Sequence, residues 1–148
     1  METNWLSDEQ QRIWRSYLRA TSRIQNYLDH TLRAFGIGLS EYVVLAMLSE
    51  ADGRRLRMSE LAEAADQSRS RLTHTVTRLE QAGHIARVTC AADGRGVWAE
   101  MTDQGYEFLA GMAPQHVAAV RRILIDAVDP ADLAALGRAM DAVCSVAD

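Results

Sequence analysis

Residues 59–102 read SELAEAADQSRSRLTHTVTRLEQAGHIARVTCAADGRGVWAEMT, and the order of breaks and apolar positions in them sets the architecture. Ser59 is a residue type that caps helices, and Leu61, Ala62 and Ala65 behind it give a short helix its buried positions. Asp66-Gln67-Ser68 is a tight break, after which Ser68 can cap a second helix over residues 68–81, with Gly83 as its terminator. Two short strands follow, Ile85–Thr89 and Val97–Met101. They are joined by Ala91-Ala92-Asp93-Gly94-Arg95-Gly96, whose two glycines and aspartate suit a hairpin tip. Short helix, tight turn, capped helix and hairpin together make a winged helix-turn-helix pattern.

On a helical wheel, Leu72, Val76 and Leu79 form one narrow apolar stripe that anchors the second helix. Ser70, Arg71, Thr73, His74, Thr77 and Arg78 face the other way, with Ser68 and Arg69 in the first turn. That face mixes arginines with short hydroxyls and holds no carboxylate, whereas a merely solvated helix face usually carries both signs. Arginine binds guanine bidentately, and hydroxyls and a helix N-terminus suit phosphates or base edges. Arg95 at the hairpin tip is placed to enter a minor groove, with Asp93 able to orient it. Taken alone, that pair would be an ordinary turn ion pair.

The flanks are helical. Ile13, Trp14, Tyr17, Leu18, Ile24, Tyr27, Leu28, Leu32 and Phe35 recur at three- and four-residue steps, which predicts a long amphipathic helix over residues 8–35. Gly36-Ile37-Gly38 ends it, and Ser40 can cap the next helix, which stops before Asp52-Gly53. Thr102 caps a helix that Pro114 is expected to kink or restart. Asp129-Pro130-Ala131-Asp132 starts the last helix, with Leu133, Leu136, Met140 and Val143 as its stripe. The reading is mainly α: a winged helix-turn-helix with a two-stranded β wing and a helical dimerisation region drawn from both termini. Within one unit over residues 1–148, residues 8–35 and 103–146 form the dimerisation region and residues 40–102 the DNA-binding lobe.

The net charge of −4 speaks against a polyanion as partner until its distribution is examined. Residues 53–95 hold eight arginines against five carboxylates, so a basic middle lies between acidic arms. No apolar run approaches the roughly 18 residues of a membrane span, and Met1-Glu2-Thr3-Asn4 lacks the basic start of a signal peptide, so the expected location is the cytoplasm. Cys90 and Cys144 make neither a disulfide framework nor a metal-ligand spacing. His30, His74, His84 and His116 are scattered, with no triad spacing, phosphate loop or carboxylate cluster. The expectation is a non-enzyme with no metal and no cofactor.

The segment from Asp93 to Thr102, followed by Gly105, resembles the wing signature of the MarR (multiple antibiotic resistance regulator) family. Leu39-Ser40-Glu41-Tyr42, Ser59-Glu60-Leu61-Ala62, and Ser68 through Leu79-Glu80-Gln81-Ala82-Gly83 look like its other landmarks, in the right order. The resemblance implies a homodimer built from the terminal helices, recognition helices in adjacent major grooves and wings over the minor groove. It also implies a palindromic operator and control of nearby genes, often repression, with release by a small ligand or by oxidation.

By the same resemblance, a small aromatic or anionic effector would lie near Trp14, Arg15, Glu41 and Tyr42; the plainer reading makes Trp14 and Tyr42 core residues and Arg15 a surface charge. Cys90 at the wing base is either a redox sensor or a small strand residue. A winged helix that docks an acidic protein partner is the competing reading, and a steep salt dependence with sequence preference separates it from a DNA reader.

Overall fold

The computed structural model describes residues 2–89 and 96–148. Among these described residues, six α-helices run in the order α1 (Asp8–Leu32), α2 (Leu39–Glu50), α3 (Met58–Ala64), α4 (Arg69–Gln81), α5 (Asp103–Val120) and α6 (Pro130–Cys144). Three short strands, β1 (Arg55–Arg57), β2 (Ile85–Thr89) and β3 (Val97–Met101), form an antiparallel sheet in the order β1-β3-β2. The chain divides into two units, one of residues 1–28 with 117–148 and the other of residues 29–116.

The unit of residues 29–116 owns the core. Leu32, Val44, Leu45, Leu48, Leu61, Leu72, Val76, Leu79, Ile85 and Met112 are all essentially withdrawn from water and pack as one cluster with Ala99, Met101 and Leu109. The sequence wheel places Leu72, Val76 and Leu79 correctly, and Thr75 joins them, its hydroxyl donating to the Arg71 carbonyl at 3.1 Å. In the other unit only Leu28 and Ala119 are buried among the described residues.

Local capping chemistry explains most boundaries. Ser68 Oγ accepts from the Arg71 N–H at 3.1 Å, Thr102 Oγ1 from the Gly105 N–H at 3.0 Å, and Asp129 Oδ1 from the Ala131 N–H at 2.9 Å. Gly36 and Gly83 close their helices at φ +78° and +83°.

Four expectations are corrected. Ser40 does not cap α2: Gly38 stands at the cap, its N–H donating to Glu41 Oε2 at 3.1 Å, while Asp29 Oδ1 accepts from the Leu39 N–H at 2.9 Å. Ser59 lies inside α3, which starts one residue earlier, because Glu60 accepts from the Arg57 N–H at 3.3 Å and closes the first turn from inside. Pro114 does not break α5. Ala110, four residues back, and Pro114 itself are exposed, so the carbonyl that loses its partner can turn to water. The helix instead widens into a π turn at Arg121–Ile125, where the Asp126 N–H donates to the Arg121 carbonyl at 2.8 Å. Finally, β3 pairs with β1 as well as β2, matching Leu56 to Ala99 on one edge and Arg87 to Ala99 on the other.

The turn from α4 into β2 is locked to the start of α5. Thr102 Oγ1 donates to the Gly83 carbonyl at 2.7 Å, the Thr102 N–H donates to the His84 carbonyl at 3.0 Å, and the His84 ring stacks on Phe108 with centroids 4.2 Å apart. A Cβ on Gly105 would run into the His84 carbonyl, which is backbone and cannot move aside. Gly105→Ala should therefore cost about 1–3 kcal/mol, as overpacking does, and lower the urea midpoint at unchanged slope. Gly111, also in α5, has nothing within 4 Å of its would-be Cβ, so Gly111→Ala should stabilise by about 0.5–1 kcal/mol. Equal effects of the two substitutions would contradict this close approach.

Two buried imidazole nitrogens, Nδ1 of His84 and of His116, have no hydrogen-bond partner. Burial pushes both histidines below their usual pKa of 6.5, which favours the neutral imidazole in the folded chain. Below pH 6.5 the unfolded chain takes up protons before the folded one does, so these groups cost stability as pH falls and none above it. The melting temperature should drop between pH 7 and pH 5, and His84→Gln should flatten that drop. An unchanged pH slope in the variant, or His84 titrating at or above 6.5 by NMR, would show the assignment wrong.

Candidate nucleic-acid interface

α4 is held by its apolar stripe, and the opposite side is open. Arg69, Ser70, Arg71, Thr73, His74 and Arg78 are exposed, and Thr77 is half-buried. Residues 69–79 contain no carboxylate, so the positive end of the helix dipole and three arginines share one field. Ser68, at the cap, has its oxygen committed to the Arg71 N–H.

Two of the arginines are already oriented by α2. Arg71 Nη2 donates to Ser40 Oγ at 2.8 Å, and Arg78 Nε donates to Glu41 Oε1 at 2.8 Å. Ser40, displaced from capping, thus steers a recognition-face arginine instead. Glu41 serves twice, closing the start of α2 and holding Arg78, whose side chain remains 59% exposed and able to turn outward. Asp29, which also supports this turn, is kept below the usual carboxylate range by the Leu39 N–H, with Arg33 assisting at 3.2 Å.

The threonines bond back along the helix. Thr73 Oγ1 donates to the Arg69 carbonyl and Thr77 Oγ1 to the Thr73 carbonyl, each at 2.8 Å. Their oxygens can still accept, but Thr77 already receives Arg87 Nη2 at 2.7 Å, which leaves it less for a ligand. A cleft of about 500 Å³ opens beside this face, lined by Arg57, Arg69, Thr73, Arg87 and Gly96 among others.

Arg57 and Arg87 are absent from the residues singled out in the sequence. Arg57 lies on β1, which two arginines around one leucine do not advertise, and its guanidinium stands 5.3 Å from the Trp98 ring centroid, with that of Arg55 at 4.8 Å. Arg87 is in period-two phase with the buried Ile85, and that phase is the signal that could have flagged it.

Asp93, Arg95 and Cys90 lie outside the described residues. Cys144 is exposed at the end of α6. Of the four effector candidates, Trp14 and Arg15 belong to one unit and Glu41 and Tyr42 to the other. Trp14 stacks against Tyr17 at 6.0 Å and Arg15 donates to Gln11 at 3.4 Å. Tyr42 packs its ring 3.9 Å from that of His116, and burial raises its phenol pKa. Among the described residues no group of three metal-ligating side chains comes together, and no single helix is long and apolar enough to cross a membrane.

This geometry has relatives. The family model for the MarR family matches residues 35–96. AbsC, a MarR family transcriptional regulator from Streptomyces coelicolor, is 42% identical over 96% of both chains, with a TM-score of 0.90. The chain belongs to the MarR family. A second MarR regulator from the same organism, Sco3205, was solved in complex with DNA; it is 43% identical over 97% of this chain and 90% of its own, with a TM-score of 0.93. Among curated proteins, the HTH-type transcriptional regulator PapX of Escherichia coli is 33% identical over 92 residues, 62% of this chain. That match spans 56% of PapX, so the chain covers little more than half the length of that relative.

Proposed function

We propose that this MarR-family chain is a sequence-specific double-stranded DNA-binding transcription regulator, acting without catalysis in the cytoplasm as a homodimer on a palindromic operator. The observation that carries the reading is the exposed face of α4 over residues 69–79, which holds no carboxylate and displays Arg69, Arg71, His74 and Arg78 from a helix whose other side is buried. Such a face fits a major groove, where arginine reads guanine and short polar side chains reach phosphates. Support comes from the DNA complex of Sco3205 and from relatives named as regulators, with the Escherichia coli relative MprA named a transcriptional repressor. In this reading Ser68, Ser70, Thr73 and Thr77 supply the shorter contacts, and Arg95, oriented by Asp93, enters the minor groove. A small aromatic or anionic ligand, by family resemblance, releases the repressor.

The dimer has a physical argument of its own. The unit of residues 1–28 and 117–148 exposes Ile13, Trp14, Tyr17, Leu18, Val117 and Val143 by 40–61%, and buries almost nothing within itself. An apolar surface of that extent is covered by association, and two-fold association matches a palindrome. Trp14→Glu with Val143→Glu should shift the protein towards monomer in sedimentation velocity and weaken operator binding. A variant still dimeric at micromolar concentration would place the interface elsewhere.

The main experiment is selection of genomic fragments by the purified protein, followed by footprinting at two salt concentrations. The expected outcome is a palindrome protected over about two helical turns and bound more weakly at high salt. Salt-sensitive binding without sequence preference would move the reading to a winged helix that docks an acidic protein. On the selected site, Arg71→Ala should cost about 1–3 kcal/mol and relax preference at one base pair per half-site. A uniform loss on all sequences would make Arg71 a phosphate contact.

A further inference from the structure

Arg87 makes more contacts to α4 than any role as a strand residue requires. Its Nη2 donates to Thr77 Oγ1 at 2.7 Å and to the Thr73 carbonyl at 3.1 Å, and its Nη1 lies 3.5 Å from Glu80 Oε1. Its backbone N–H donates to Glu80 Oε2 at 3.1 Å. One residue of β2 thus spans Thr73, Thr77 and Glu80, about two turns along the side of α4 that adjoins the exposed face. Its side chain is only 29% exposed, and part of the bonding is shielded from water. The neighbouring Val88 faces solvent while Arg87 turns inward, the reverse of what hydropathy alone prefers.

We infer that Arg87 is a positioning residue that sets the register between the recognition helix and the β2–β3 hairpin, and so the spacing between the two DNA grooves read by one lobe. The inference rests on the DNA-binding reading above. The α4–β2 turn is only a few residues long and fixes one end of the hairpin through Gly83 and His84. Pairing with β1 holds the β3 edge of the hairpin as far as Trp98, while the β2 edge runs beside α4. The guanidinium fork, three or four residues further on, ties that β2 edge directly to α4. It also pairs Glu80, the first carboxylate after the acid-free run of α4, so that charge does not face the same anion as Arg78. Lysine carries the charge on a single nitrogen, whereas Arg87 reaches the hydroxyl and carbonyl from Nη2 and the carboxylate from Nη1, so Arg87→Lys loses the two-pronged hold.

The test uses the full-length protein and its selected operator, with three forms: wild type, Arg87→Lys and Arg87→Gln. Affinity is measured on the native operator and on one whose outer flanks, the bases under the hairpin, are substituted, each over a series of salt concentrations. In the wild type the flank substitution should weaken binding about tenfold or more, as base changes in a read position do. In both variants that ratio should fall towards one, while preference for the central bases and the slope of log K against log salt stay as in the wild type. Circular dichroism on Arg87→Lys, which keeps charge and aliphatic stem, guards against misfolding as the cause.

If Arg87→Lys binds like the wild type while Arg87→Gln loses affinity uniformly and its slope falls by about 0.9, Arg87 is a phosphate contact and the inference is overturned. A flank preference kept intact in both variants also overturns it, without touching the DNA-binding reading. A wild type without any sequence preference removes both.

Discussion

Leu72, Val76 and Leu79 hold α4 in place, and the rest of the lobe depends on that attachment. A 13-residue helix is marginal on its own, because nucleation costs more than a few turns of hydrogen bonds return. Burying each of these side chains contributes roughly 1.5–3 kcal/mol, enough to hold the helix with only one face committed. The stripe is narrow, so most of the circumference is left free for arginines and hydroxyls. A wider stripe would have stabilised the helix more and left fewer positions to meet a ligand. The break at Asp66-Gln67-Ser68 and the glycine at position 83 then fix where this exposed cylinder begins and ends.

What could be read from the sequence is what local chemistry decides. Ser68, Thr102 and Asp129 cap their helices because each has a short acceptor two or three residues before an orphan N–H. Ser40 and Ser59 have the same chemistry and do not cap, because α2 and α3 already start at Leu39 and Met58, where Glu41 and Glu60 reach back to the Gly38 and Arg57 N–H groups. Nothing within a few residues of Ser40 announces that Asp29, eleven positions back, will accept from the Leu39 N–H beside it. The strand Arg55–Arg57 was hidden for a similar reason: it is extended because β3 offers it an edge, and Trp98 receives its two guanidinium groups. The inward turn of Arg87 depends on Thr73 and Thr77 a helix away, and only the phase with Ile85 hints at it.

The two oriented arginines change how the exposed face should be pictured. Arg71 and Arg78 are not swinging freely from a helix; each is held by one strong donor–acceptor contact to the first turn of α2. Both guanidinium groups remain largely in water, so either contact can be exchanged for one to a base at little cost. Each contact does reduce the number of conformations the guanidinium must lose on meeting a base. Pre-orientation of this kind favours selective binding over mere attraction, because the entropy of ordering a long side chain is partly met before the ligand arrives.

An acidic protein can meet a polyanion only if sign is decided locally, and here it is. At physiological salt, charges more than about 8 Å apart are largely screened, so the net −4 matters less than what surrounds α4. Three carboxylates around α4 are each engaged by the fold. Glu41 closes the start of α2 and pairs Arg78, Glu60 closes the start of α3, and Glu80 takes both the N–H and the guanidinium of Arg87. Glu60 and Glu80 are thereby taken up by the fold, and Glu41 offsets one of the arginines, Arg78. Among the described residues neither Arg69 nor Arg71 pairs with a carboxylate, and that is where an anion would be drawn.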